Sequence, residues 1–92
     1  VTIRGRVQGI GYRAWVEDRA RASRLEGWVR NRRDGSVEAV FAGPEQAVMA
    51  ALAACREGPR GGHVDAVEAQ EGDASLLQQR AGGARFAVLA TT

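Results

Sequence analysis

The chain contains no lysine; all 13 of its basic residues are arginine. Every mechanism that depends on an amine is thereby excluded, from Schiff bases to the phosphate-binding lysine of the Walker loop. Cysteine and histidine occur once each, as Cys55 and His63. A single cysteine cannot form an internal disulfide, and a closed zinc site would have to draw on carboxylates in unusual number. We therefore expect a protein that holds no metal and no cofactor. Apolar runs are short, none near the length of a membrane span, and no basic-then-apolar segment of the secretory type opens the chain. The expectation is a cytoplasmic protein that does not enter a membrane.

What is present is the composition of a small globular domain. Hydrophobic residues make up 45% and charged residues 26% of the 92 positions, which fits a chain with a core rather than a disordered one. Residues 1–92 read as one domain, without repeats or a linker, and as a monomer. The net charge of +2 suits a small anionic substrate and does not require nucleic acid.

β-Branched residues among polar ones make Val1 to Val7 a first strand. Tyr12, Val16 and Ala20 then recur every fourth residue with Trp15 beside them, while Glu17, Asp18, Arg19 and Arg21 face away. That pattern predicts a helix ending near Ser23 or Arg24. Gly27 to Arg32 is extended, Asp34-Gly35 is a tight-turn signal, and Val37, Ala39 and Phe41 alternate, which together predict a hairpin. In Gly43-Pro44-Glu45, glycine serves as the cap, proline fits the first turn, and Glu45 complements the dipole of a second helix. Val48, Ala51, Leu52 and Cys55 share one face of it, and Gly58-Pro59 stops it. His63 falls in a loop, Val64 to Ala69 forms a weakly patterned strand, Glu71 to Gly83 is loop with room for a short helical turn, and Phe86 to Leu89 makes a last strand. The order β-α-β-β-α-β predicts an α+β fold of the ferredoxin-like, split β-α-β kind, an antiparallel sheet with two helices on one face. Many functions share that arrangement, so it decides none of them.

The stretch richest in chemistry is Gly5-Arg6-Val7-Gln8-Gly9-Ile10-Gly11-Tyr12-Arg13, between the first strand and the first helix. A helix start offers unpaired backbone N–H groups that point one way, which is where anions bind. Gly9 and Gly11 permit positive φ and a close approach of backbone to ligand, and successive N–H groups there form a concave nest. Arg13 adds a planar, permanently charged fork. Alone, such a loop reads first as an ordinary strand-to-helix connection with a surface arginine. It is not a Walker loop, for want of lysine, nor a dinucleotide loop, because Ala14 stands where the third glycine belongs.

A second stretch, Gly27-Trp28-Val29-Arg30-Asn31 with Asp34-Gly35-Ser36-Val37 after it, gives the first its meaning. Together they resemble the acylphosphatase family over nearly the whole chain. The first matches the family's Gly-x-Val-Gln-Gly-Val-x-Phe-Arg signature, with Ile10 for valine and Tyr12 for phenylalanine. The second matches Gly-Trp-Val-x-Asn followed by a glycine turn and valine. The resemblance implies a metal-independent hydrolase that cleaves the carboxyl-phosphate bond of acyl phosphates. It implies that Gln8, Gly9, Ile10, Gly11, Tyr12 and Arg13 cradle the phosphate, that Arg13 binds the phosphoryl group, and that Asn31 orients the attacking water. It also implies an acyl phosphate as the small-molecule partner, with inorganic phosphate as product or inhibitor.

Trp15 and Trp28 read as packing residues, Tyr12 as the anchor of the loop, and Cys55 as a small apolar residue of the second helix. One departure stands out: Arg24 occupies a position where the family often carries a glycine after the first helix, at an expected cost under ~1 kcal/mol if it turns left-handed. Two other functions compete. An acyl- or carbamoyl-phosphate-binding accessory domain would keep the loop without turnover. An RNA-binding module would need aromatics on the central strands, and the third strand offers only Phe41, whose alternation turns it to the core.

Overall fold

A computed structural model describes residues 1–80 and 84–92 of the chain. Strand β1 (Thr2–Arg6) leads through a loop to helix α1 (Tyr12–Ala22), followed by the hairpin β2 (Glu26–Asn31) and β3 (Val37–Ala42). Helix α2 (Glu45–Glu57), strand β4 (His63–Glu68), a 3-10 helix (Ala74–Gln79) and strand β5 (Phe86–Val88) complete the chain. The sheet runs in the order β4-β1-β3-β2-β5. Its first four strands pair antiparallel, as the predicted ferredoxin-like fold requires.

The expected wholly antiparallel sheet needs one correction. Strand β5 pairs with β2 in parallel, Gly27 opposite Phe86 and Val29 opposite Val88, so the sheet is mixed. The chain leaves β4 at one edge and returns at the other, and the 3-10 helix lies on the outer face on the way: Trp28 Nε1 donates to Leu76 O at 2.8 Å. That crossing explains the short helical turn within the region from Glu71 to Gly83, of which residues 81–83 lie outside the described residues. It also explains Trp28, which is 2% exposed although it alternates away from the core residue Val29. Arg30 covers the indole ring at 4.7 Å and pairs with Glu38 at 2.8 Å.

Both helices pack on the opposite face through one apolar cluster. Tyr12, Val16 and Ala20 of α1 and Ala51 and Cys55 of α2 meet Ile3, Val29, Val37, Ala39 and Phe86 of the sheet. The four-residue recurrence on α1 and the two-residue alternation on β3 converge on the same layer. Phe41 joins that layer from its margin, stacked on Phe86 with ring centroids 5.9 Å apart.

Two local details differ from expectation. The cap of α2 is Pro44, still extended at ψ 141°, and Val48 N–H donates to Pro44 O at 3.0 Å; Gly43 stands one residue outside the helix. His63 opens β4 rather than lying in a loop, and its Nε2 stands 2.9 Å from Asp65 Oδ1.

After α1 the chain turns through Arg24 at φ 56°, the one positive φ outside glycine among the described residues. Leu25 N–H donates to Ala20 O at 2.9 Å and Arg24 N–H to Arg21 O at 3.1 Å. These are the 6→1 and 5→2 bonds of a Schellman cap. Leu25 and Ala20 are both fully buried, which supplies the apolar contact that accompanies such a cap.

Candidate active site

The loop between β1 and α1 and the end of β2 border one cleft of about 400 Å³. Gln8, Gly9, Gly11, Tyr12, Arg13 and Asn31 line it together with Val7, Ala14, Glu17 and Val88. The residues picked from two separate stretches of sequence therefore meet. Ile10 is the exception: it packs at the margin of the core, where a Cβ on Gly62 would come within 2.6 Å of Ile10 Cδ1.

Gly9 and Gly11 take φ of 77° and 80°. No side chain caps α1, and its first ladder bond runs from Trp15 N–H to Gly11 O at 3.0 Å. The backbone N–H groups of residues 8 to 14 donate to none of the described residues. A left-handed glycine immediately before a helix turns these donors toward one side. Beyond its chain neighbours, a Cβ at Gly9 or Gly11 would meet none of the described residues within 4 Å, so the glycines are there for their dihedrals and for an uncovered backbone, not for tight packing.

Arg13 stands at the second position of α1, whose first turn carries no acidic residue. A cation there opposes the helix dipole. Among the described residues its guanidinium enters no ion pair and donates no side-chain hydrogen bond. Unfavourable placement without compensation is what a site built for an anion requires.

Asn31 ends β2 opposite Val37. Its carbonyl O accepts from Thr92 N–H at 3.1 Å, so the C-terminal stretch braces it from outside. The side-chain Oδ1 is buried and has no partner among the described residues. A buried amide oxygen without a donor is costly in a structural role, and this one borders the cleft.

Two anchors fix the frame. Tyr12 is buried, and its hydroxyl donates to Cys55 O at 2.9 Å, tying the start of α1 to the end of α2. Burial pushes the phenol far above its ordinary range, with Cys55 adding to the shift, so it stays a neutral donor. Gln8 points its amide away from the cradle: Nε2 donates to Arg32 O at 2.7 Å and Ser36 O at 2.8 Å. Its backbone belongs to the loop while its side chain fastens that loop to the turn beyond Asn31.

Sequence reasoning missed Glu17, placed on the outward face of α1, and Val88. Both line the cleft because β5 returns beside α1. Glu17 carries a signal in retrospect, being one turn after Arg13. Val88 carries none, since it arrives by a long-range pairing. Among the described residues, no three His, Cys, Asp or Glu side chains gather as a metal ion would require, and no helix is long and apolar enough to cross a membrane.

The family model for acylphosphatases matches residues 1–81. A curated acylphosphatase of Bradyrhizobium diazoefficiens is 58% identical over 91 residues, 99% of this chain and 92% of that protein. The crystal structure of acylphosphatase from Bacillus subtilis matches with a TM-score of 0.82 at 34% identity, over 96% of this chain and 92% of that one. An acylphosphatase structure from Coxiella burnetii gives 0.75 at 31% identity, over 96% and 86%.

Proposed function

The chain belongs to the acylphosphatase family, and from that premise we propose how its cleft hydrolyses acyl phosphates to carboxylate and inorganic phosphate. The observation that carries the assignment of roles is the meeting in one cleft of three groups without partners among the described residues: backbone N–H groups of the loop leading into α1, the fork of Arg13 and the buried Oδ1 of Asn31.

The dianionic phosphoryl group sits in the loop, its oxygens accepting from backbone N–H groups and from Arg13. Asn31 Oδ1 accepts a hydrogen bond from water and aims its lone pair at phosphorus. The water oxygen bonds to phosphorus as the bond from phosphorus to the acyl oxygen breaks, and that electron pair leaves with the carboxylate. The water's protons pass to phosphate oxygen and solvent. Phosphoryl transfer of this kind depends on positioning and on stabilising charge at the equatorial oxygens. The leaving carboxylate is already a stable anion, so the reaction needs no general acid.

We read residues 1–92 as one monomeric, metal-independent domain working in the cytoplasm. Against RNA binding speaks Trp28, the aromatic of the outer sheet face, which is buried beneath the 3-10 helix and Arg30 and offers no stacking surface.

The test is hydrolysis of an aromatic acyl phosphate in the presence of chelator. Wild type is expected to turn over and to be inhibited competitively by inorganic phosphate. Arg13→Ala and Asn31→Ala should each lose ~100-fold or more in kcat/KM, and Arg13→Lys should not rescue, because an ammonium lacks the planar fork. Near-normal turnover in Arg13→Ala or Asn31→Ala removes that residue from the mechanism. Phosphate binding by a folded, inactive wild type would instead favour the accessory-domain reading.

A further inference from the structure

Arg13, Glu17 and Arg21 occupy successive turns of α1 at intervals of four. Residues so spaced share a helix face, so Glu17 can reach either arginine. It bonds only one. Arg21 Nη2 and Nε approach Glu17 Oε2 at 3.1 and 3.3 Å. Arg21 Nη2 also donates to Phe86 O at 3.0 Å, which ties the guanidinium to β5. Glu17 meanwhile lines the same cleft as Arg13, with its side chain 31% exposed.

A carboxylate in an anion-binding cleft is a rival. It is the same class of ligand as the phosphoryl oxygens, it is tethered within reach of the fork, and its effective concentration is correspondingly high. Two features keep it off Arg13. A glutamate placed before its basic partner at four-residue spacing pairs better than one placed after it, so Glu17 prefers Arg21 to Arg13. The Phe86 carbonyl then holds Arg21 in place against β5.

We propose that Arg21 is a positioning residue for the reaction: it sequesters the Glu17 carboxylate and so keeps the Arg13 fork open for the phosphoryl group. Glu17 is then a latent internal competitor, silent while Arg21 is present. This inference rests on the role given to Arg13 above.

A double-mutant cycle tests it with wild type, Arg21→Ala, Glu17→Gln and the double variant. Each is titrated calorimetrically with inorganic phosphate and assayed with the aromatic acyl phosphate. Arg21→Ala should weaken phosphate binding ~3–10-fold and raise KM in parallel, with kcat within about twofold of wild type. In the Glu17→Gln background the same substitution should change phosphate affinity by less than about twofold, because the competitor has lost its charge. Arg21→Lys, which can still pair with Glu17, should stay near wild type.

An equal loss in both backgrounds would mean that Arg21 acts through its own field or through Phe86, and would overturn the proposal, as would unchanged binding and KM in Arg21→Ala. The titration does not depend on turnover. A wild type that binds phosphate without hydrolysis sinks the catalytic reading and leaves this one standing on the binding cycle. A wild type that turns over normally beside an equally good Arg21→Ala sinks this one alone.

Discussion

Gly11 at φ 80° begins α1 and Arg24 at φ 56° ends it, so one helix turns on a left-handed residue at each end, with opposite results. At the first turn the backbone donors are left open: no side-chain cap, no acidic residue, and a cation at the second position. At the last turn the carbonyls of Arg19, Arg21 and Ala20 accept in turn from Ser23, Arg24 and Leu25, and two basic residues complement the dipole. The closed end tolerates a side chain where glycine is preferred, because two hydrogen bonds and the burial of Leu25 hold the turn. The open end has no such support and uses glycine. The contrast separates a helix end shaped for stability from the open end proposed above to take the phosphoryl group, and it can be tested from both sides.

The largest effect should come from adding a methyl group to the open end. Gly11→Ala places a Cβ on a left-handed residue, at a cost of ~1–2 kcal/mol in that conformation. Beyond its chain neighbours, the Cβ meets no atom of the described residues within 4 Å, so it intrudes on the space above the loop rather than on the core. Relief of the strain by turning the dihedral re-aims the N–H groups. We expect kcat/KM to fall ~10-fold or more, with a drop in stability of the same ~1–2 kcal/mol seen by denaturant melt. A variant with wild-type turnover would show that the left-handed glycine is not needed to form the cradle.

The converse change belongs to the closed end. Arg24→Gly keeps the Schellman cap and removes the left-handed penalty, so stability should rise by up to ~1 kcal/mol, a few degrees in Tm for a domain of this size. Arg24 also offers its carbonyl to Arg85 Nε at 2.9 Å, a contact the substitution retains. kcat/KM should stay within about twofold of wild type. A change in activity as large as that of Gly11→Ala would erase the distinction between the two ends.

The same contrast explains what was legible in the sequence. Tyr12, Val16 and Ala20, the turn at Asp34-Gly35 and the alternation of Val37, Ala39 and Phe41 are local signals, and each marks the element it predicts. The pairing of the Arg13 loop with Asn31 was legible through the family's two motifs, since nothing in either stretch alone says that they meet. The rest depends on distant parts of the chain. The outward marking of Glu17 follows from its place opposite the apolar stripe, and it fails because β5 returns beside α1 to form a second wall. The parallel pairing of β5, the covering of Trp28 and the turn of Ile10 toward Gly62 arise in the same way, from segments tens of residues away. Gln8 is the instructive middle case: its position in the loop was readable, but not that its amide would bind carbonyls of Arg32 and Ser36.

That Gln8 bond makes the hairpin turn part of the open end, and the smallest predicted effect tests it. Asp34 Oδ1 accepts from Ser36 Oγ at 2.6 Å and Ser36 N–H at 2.9 Å. These bonds, the hydroxyl's first and the N–H second, hold the exposed Asp34 carboxyl below its ordinary value of 3.8. A depressed folded-state value means that the stabilisation is fully present above the unfolded value and is lost as pH falls through the folded one. Wild type and Asp34→Asn should therefore differ modestly in Tm at neutral pH and converge below about pH 4. At neutral pH, Asp34→Asn should lower kcat slightly, because the carbonyl of Ser36, one residue from the Asn31–Val37 pair, is what Gln8 grips. If Tm differs while kcat does not, the turn supports the fold but not the cradle, and the open end of α1 is set by its own glycines alone.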